Sequence, residues 1–296
     1  MKKIGVIGLS EGNGHPYSWS AIFNGYDTFH MANCPFPVIP NYLSKQIFPN
    51  DFLNDLGQVT HIWTQDKSIS INIAKASLID NISNSIDDMI DEVDVVLLAR
   101  DDAENHFVHS KSIIEAGKPI FIDKPFALNT DVAIKMLGSQ KYESQIFTCT
   151  SLRFSEELYL NEHDRESIGD IVGFEASIMN KWEKYAIHLI EPIIVQNPNR
   201  GLLLRVIPVK KNDEIQKTII EWENLTGNII NTGSVPVALK ISYIGKKGIV
   251  TKQFNDSFKC FKSSLKYFID VIDGKKPNIQ RNETLEIVKI LEKGIA

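Results

Sequence analysis

Residues 93–125, VDVVLLARDDAENHFVHSKSIIEAGKPIFIDKP, constrain the chain more than any other stretch. The apolar residues Val93, Val95, Val96, Leu97 and Leu98 give way to the polar switch Arg100-Asp101-Asp102. A helical stretch follows and stops at Gly117-Lys118-Pro119, where glycine allows the turn that ends a helix and proline cannot extend one. A second apolar run, Ile120-Phe121-Ile122, leads into Asp123-Lys124-Pro125. Short apolar runs on either side of a helix describe a strand–helix–strand unit with buried strands. In open α/β sheets, ligands lie at the carboxyl ends of the strands. Lys124 therefore stands where chemistry is expected, with Pro125 stiffening the chain behind it.

The rest of the first half keeps the alternation. Strands are expected at 3–7, 59–63 and 144–148, with helices from Ser18, over 68–78, over 85–90 and over 131–137, the last capped by Asn129-Thr130. Alternating β and α elements imply an α/β fold with a doubly wound parallel sheet. Residues 24–58 break the pattern. Pro35, Pro37, Pro40 and Pro49 stand there among aromatics, with little Gly or Ser, which reads as an ordered insertion shaping a site or an interface. The second half changes character. Residues 171–178, 202–209, 218–222 and 237–243 are strand-like and rich in β-branched side chains. Residues 257–272 and 283–291 read as amphipathic helices. The expected organisation is a dinucleotide-binding domain over 1–150, followed over 151–296 by an α+β domain with a mostly antiparallel open sheet and C-terminal helices.

Bulk properties remove several classes. A net charge of −5 argues against a nucleic-acid partner, which needs a basic face. No run of about 18 apolar residues exists to span a membrane. The opening MKKIGVIG is broken by Gly5 and Gly8, which suits a first strand in a cytoplasmic protein better than a signal peptide. Cys34, Cys149 and Cys260 are scattered without a CxxC, so neither a disulfide framework nor a metal site is expected.

Three motifs carry chemistry. Gly8-Leu9-Ser10-Glu11-Gly12-Asn13-Gly14-His15-Pro16 follows a strand and opens a helix, as a pyrophosphate-binding loop does. Ser10 replaces the middle glycine of the usual spacing, and the same residues also suit a structural turn. Asp66 follows the second strand, where a carboxylate would accept ribose hydroxyls and repel a 2′-phosphate, favouring NAD over NADP. It suits a helix N-cap equally well. Tyr185, His188 and Glu191 recur at helical spacing among Ile187, Leu189, Ile190, Ile193 and Ile194. Such a polar stripe faces a cleft or faces solvent. His106 and His109, early in the helix after Asp102, have the alternative of packed or surface histidines.

Taken together, the residues resemble the Gfo/Idh/MocA oxidoreductases, the family of glucose-fructose oxidoreductase and inositol dehydrogenase. The likeness rests on His106, Glu115-Ala116-Gly117-Lys118-Pro119 and Asp123-Lys124-Pro125, where aspartate stands for the family's glutamate. It rests also on Arg153-Phe154 and on a C-terminal run from Phe268 through Gly274 to Pro277. It spans the first 155 residues and the last 40, apart from 24–58, and fades between about 195 and 250.

The resemblance implies a Rossmann-type domain binding NAD or NADP. Gly8, Ser10, Gly12, Asn13, Gly14 and His15 would cradle the cofactor, with Asp66, Arg100, Asp101, His106, Asp123 and Lys124 around them. Lys124 and His188 would be catalytic, the substrate hydroxyl lying between them. Arg153, Tyr185 and Glu191 would join them in holding substrate. Where relatives carry an aspartate four residues before the histidine, this chain has Lys184, and Tyr185 is a substitute proton carrier. The implied substrate is a sugar, sugar nucleotide or polyol, and the implied assembly a homo-oligomer, dimer or tetramer. Two other readings stay open: a sugar enzyme that uses nicotinamide without net redox change, and a non-catalytic nucleotide- or sugar-binding protein of the same fold.

Overall fold

The computed structural model describes residues 1–210 and 214–295, and the chain divides into two compact units. The first comprises Met1–Ala127, Asp131–Cys149 and Ser257–Gln280. The second comprises Leu128–Thr130, Thr150–Asp256 and Arg281–Ala296. Ser257–Gln280, expected with the second half of the chain, thus belongs with the first.

In the first unit the elements run β1 (Lys2–Gly8), α1 (His15–Asn24), α2 (Thr28–Ala32), α3 (Val38–Leu43), β2 (Gly57–Thr64) and α4 (Lys67–Ala76). They continue with β3 (Asn81–Ile82), α5 (Ile86–Ile90), β4 (Val95–Leu98), α6 (Ala103–Glu115), β5 (Ile120–Ile122), α7 (Thr130–Gly138) and β6 (Ile146–Thr148). The six strands are parallel, in the order β3-β2-β1-β4-β5-β6. That is the doubly wound order of dinucleotide-binding sheets. Every residue of β4, β5 and β6 is buried, which explains why those segments read as unbroken apolar runs. Gly117, at φ +76°, ends α6 in a conformation that L side chains avoid, so the chain can turn back into β5.

A ladder of rings ties the central strands to distant helices. Trp19 stacks on Phe121 at 4.8 Å, Phe121 meets Phe147 edge-on at 4.8 Å, and Phe147 meets Phe268 of α11 (Ser257–Ile272) at 5.5 Å. Each such buried ring contributes roughly 2–3 kcal/mol of apolar transfer. Residues 24–58 are an ordered part of this unit. Phe52 packs on Phe258 of α11, and the amide of Leu53 donates to the Ile22 carbonyl at the end of α1.

The second unit holds α8 (Glu162–Ile168), β7 (Ile171–Ile178), α9 (Trp182–Tyr185), α10 (Ile187–Gln196), β8 (Leu203–Lys210), β9 (Gln216–Trp222), β10 (Thr226–Asn231), β11 (Lys240–Gly245), β12 (Ile249–Gln253) and α12 (Arg281–Gly294). Its sheet runs β12-β11-β7-β10-β9-β8, with β10 parallel to β7 and the other pairs antiparallel. One face, carrying Phe174, Ile220, Ile229 and Tyr243, is buried. The other carries the half-buried or exposed residues Glu175, Ile219, Asn228 and Ile207. Two strands of this sheet escape the sequence reading. TGNIIN in β10 dilutes its apolar residues with Gly and two Asn, and IVTKQ in β12 is an exposed edge. Among the described residues, no helix is long and apolar enough to cross a membrane.

Candidate active site

The loop between β1 and α1 is held from below by side chains at the ends of neighbouring strands. Gln65, just past β2, accepts the Leu9 amide at 3.1 Å and donates to the Leu9 carbonyl at 2.7 Å. Arg100, just past β4, donates to the same carbonyl at 3.2 Å and to Gln65 Oε1 at 3.0 Å. The Ser10 hydroxyl donates to Asp101 Oδ1 at 2.7 Å and accepts the Asp101 amide at 3.0 Å. Asn13 Nδ2 donates to Asp123 Oδ2 at 2.9 Å, and His15 Nδ1 lies 2.5 Å from the same oxygen. The loop is therefore fixed before any ligand arrives.

Its outer side is open. The amides of Ser10, Glu11 and Gly12 meet no acceptor among the described residues. Gly12 sits at φ +79°, and a Cβ built there would meet nothing within 4 Å. Free amides at the entrance of a ten-residue helix, with space above a glycine, fit a dinucleotide's pyrophosphate. Gly8 has a different constraint, since a Cβ there would come 2.4 Å from the Pro16 ring. So has Gly14, where a Cβ would lie 2.6 Å from Ile39 and 2.8 Å from Phe36. Phe36 and Ile39 belong to the 24–58 segment, which also lines a cavity of about 380 Å³ with His30, Asn33 and Pro35 beside Leu9, Tyr17, Ile69 and Asn72.

Asp66 is exposed and caps α4, its Oδ1 accepting the Ser68 amide and hydroxyl, both at 2.7 Å. The Ser68 bonds hold the carboxyl below its ordinary range, so it is anionic at neutral pH.

Lys124 lies just past β5, 5% exposed, with Nζ 3.5 Å from Asp101 Oδ2. Asp123 is 1% exposed and accepts the Lys124 amide on its second oxygen at 2.7 Å. Three residues expected to touch cofactor or substrate have other duties. His106 is fully buried, with Nε2 2.8 Å from the Arg100 carbonyl and Nδ1 3.1 Å from the Phe126 carbonyl, so no ring nitrogen remains for a cofactor. Its work is to tie the end of β4 to the segment after β5. Arg100 spends its guanidinium on Asp102, at 2.6 and 2.9 Å, and on the loop. Burial works against the charge of Asp102, but its bonds from Arg100 and Asn105 hold its carboxyl below the ordinary range.

The third is Glu191, in the second unit. It is 1% exposed, accepting the Thr150 amide at 2.6 Å and Arg153 Nη1 at 3.0 Å. Arg153 also reaches Glu283 at 2.5 Å. Burial pushes the Glu191 carboxyl up to about 7, with Arg153 opposing. The expected single helix face is interrupted, because α9 ends at Tyr185 and α10 begins at Ile187. Tyr185 and His188 still meet edge-on, ring centroids 5.6 Å apart, while Glu191 points inward. His188 is half-buried, and its Nδ1 lies 2.6 Å from Thr150 Oγ1. Gln65 and Thr150 are the residues that sequence reasoning missed. Gln65 sits between the end of β2 and Asp66, and no local sequence signal singles it out.

The family match and the structural neighbours point in one direction. Residues 2–150, half of the chain, match the Gfo/Idh/MocA oxidoreductase family with its NAD-binding Rossmann fold. No curated protein sequence gives a significant match. Among solved structures, scyllo-inositol dehydrogenase from Lactobacillus casei aligns at TM-score 0.71 and 13% identity, covering 99% of this chain and 95% of that one. UDP-N-acetylglucosamine 3-dehydrogenase from Acidithiobacillus ferrooxidans aligns at TM-score 0.70 and 12% identity, covering 98% and 95%. Biliverdin reductase from Synechocystis, solved with biliverdin and NADP+, aligns at TM-score 0.71 and 12% identity, covering 99% and 97%. At these identities the likeness is one of fold. The sheet order, the loop after β1 and the match over residues 2–150 together make this chain a member of the Gfo/Idh/MocA oxidoreductase family.

Proposed function

We propose that the protein is a nicotinamide-dependent dehydrogenase acting on a hydroxyl or carbonyl carbon of a sugar, sugar nucleotide or polyol. The observation that carries the reading is Lys124, a buried lysine beside the open glycine loop, with Asp101 as its counterion. Once bound, the nicotinamide supplies the hydride chemistry. The loop amides and Gly12 hold the pyrophosphate, and Asp66 accepts ribose hydroxyls, favouring NAD over NADP. Lys124 donates to the substrate oxygen and stabilises the negative charge that develops there. His188, oriented by Thr150 and flanked by Tyr185, carries the substrate proton. The inositol and sugar-nucleotide dehydrogenases among the structural neighbours support a carbohydrate substrate. Biliverdin reductase among the same neighbours keeps the fold from deciding it.

The test has two steps. Mass spectrometry of small molecules released from the purified protein should find NAD(H) in preference to NADP(H). Inositols, sugars and sugar nucleotides are then screened by the absorbance of reduced nicotinamide. Folded protein that binds neither dinucleotide by calorimetry would overturn the reading.

A further inference from the structure

A cavity of about 700 Å³ lies wholly within the second unit, where α8, the C-terminal end of α10 and the β9–β10 turn meet. His188 stands in the first turn of α10 and Gln196 ends it, about 12 Å further along the axis. Strand β7 likewise enters at the cavity, at Ile171, and leaves towards α9 at its other end. The cavity is therefore remote from the candidate proton carrier, and its size is that of a small-molecule site.

Gln196 and Asn197 line it and are 7% and 8% exposed. Partners inside the protein fix the orientation of both amides. Gln196 Oε1 accepts the Leu160 amide at 3.0 Å and Arg165 Nη2 at 2.8 Å, two donors that only the oxygen can take. Its Nε2 meets no acceptor among the described residues. Asn197 Nδ2 donates to the Ile193 carbonyl at 2.8 Å, so the unpartnered atom there is the acceptor Oδ1. Neither atom is sealed in the interior, as the unpartnered Trp19 Nε1 and Ser20 Oγ are, so both open on the cavity. Amides buried this far and half unpaired call for an outside partner. Beside them the exposed Arg165 spends Nη2 on Gln196, and its Nε and Nη1 meet no acceptor among the described residues.

The other charges of the cavity largely cancel. Arg200 gives its guanidinium to Glu286 at 2.8 and 3.0 Å, and Asp170 pairs with Lys246 at 2.9 Å. Glu166 balances Arg165. An anion would meet the Asn197 oxygen and the Glu166 carboxylate, and a cation would meet the guanidinium. A hydroxyl suits both amides, because it accepts from Gln196 Nε2 while donating to Asn197 Oδ1. A neighbouring hydroxyl then accepts from the Arg165 fork.

We propose that this cavity is a second, non-catalytic binding site for a neutral polyhydroxylated molecule, a sugar or polyol, held through adjacent hydroxyls by Gln196, Asn197 and Arg165. No cofactor and no redox step enters it, so the inference goes beyond the dehydrogenase reading and stands apart from it.

Heteronuclear NMR of the full chain, without dinucleotide, tests it by titration with myo-inositol, with glucose and, separately, with inorganic phosphate. At least one of the two polyols should move the side-chain amide signals of Gln196 and Asn197 and the Arg165 Nε–H signal saturably, and phosphate should not. Gln196→Glu keeps an acceptor for Leu160 and Arg165 but replaces the donor, so it should weaken polyol binding by at least about tenfold. Dinucleotide affinity, read by calorimetry, should be unchanged in that variant. If it misfolds, Arg165→Ala decides, since the residue is exposed and its loss removes the fork with little risk to the fold. Signals that neither polyol moves, phosphate moving them instead, or polyol binding that survives both substitutions would each overturn the inference and leave the dehydrogenase reading standing. Saturable polyol shifts in a protein that binds neither NAD+ nor NADP+ would keep the inference and overturn that reading.

Discussion

The hydroxyl of Thr150 lies 2.6 Å from His188 Nδ1, and the same residue's amide donates to the buried Glu191. One residue thus fixes the ring of the candidate proton carrier and is itself fixed by a carboxyl in the interior. Thr150→Val keeps the shape and removes the hydroxyl. Steady-state kinetics should show turnover falling by about tenfold with cofactor affinity unchanged, and His188→Ala should cost about 100-fold or more. Equal turnover in wild type and both variants would remove His188 from the mechanism.

Lys124→Ala should lower turnover by about 100- to 1000-fold, the range for losing one donor to a developing oxyanion. Dinucleotide affinity, read by calorimetry, should change by less than a few fold. A large loss of affinity with turnover preserved would make Lys124 a cofactor ligand instead.

Glu191 makes stability depend on pH. Its carboxyl is raised from 4.5 to about 7 by burial, so the stability tied to its neutral form is complete below 4.5 and is lost as pH rises through 7. Glu191→Gln cannot ionise. Thermal melts at pH 5, 7 and 8.5 should therefore show the variant gaining on the wild type as pH rises, by on the order of 2 kcal/mol. A difference that is flat with pH would mean that Arg153 keeps the carboxylate charged throughout.

Two glycines of one loop should fail differently. Gly12→Ala forces a side chain into φ +79° and into the space above the loop, so it should cost about 1 kcal/mol of stability and weaken dinucleotide binding more than tenfold. Gly14→Ala drives a methyl into Phe36 and Ile39 and should cost about 1–3 kcal/mol. Denaturant melts paired with calorimetry separate the two.

Asp66→Ser retains a capping oxygen while removing the carboxylate. Its melting temperature should stay within a few degrees of wild type, while the preference for NAD over NADP should fall by about tenfold or more, as competitive titrations would show. An unchanged preference would leave Asp66 with the cap alone.

The position of Lys124 was legible because β4, β5 and the Gly117 turn are local signals, each readable within a few residues. The clamp on the loop was not, because Gln65 meets Leu9 across 56 residues and Arg100 meets it across 91. Helical spacing brought Tyr185, His188 and Glu191 into one stripe, but spacing alone does not say which side of the helix is interior. The break at Ala186 puts Tyr185 and His188 on different helices, yet their rings still meet, while Glu191 turns inward. Strands β10 and β12 were hidden because pairing with β7, β9 and β11, rather than their own composition, makes them strands.

The contact of Phe36 and Ile39 with Gly14 has a consequence for anyone moving parts between such enzymes. The residues that look like an accessory inserted after α1 form the floor on which the nucleotide loop rests. Grafting that loop into another sheet without residues 24–58 would leave a void beneath its last glycine. Loop and insertion therefore form a single transplantable module, and a protease nick in the insertion should show first as faster cofactor loss.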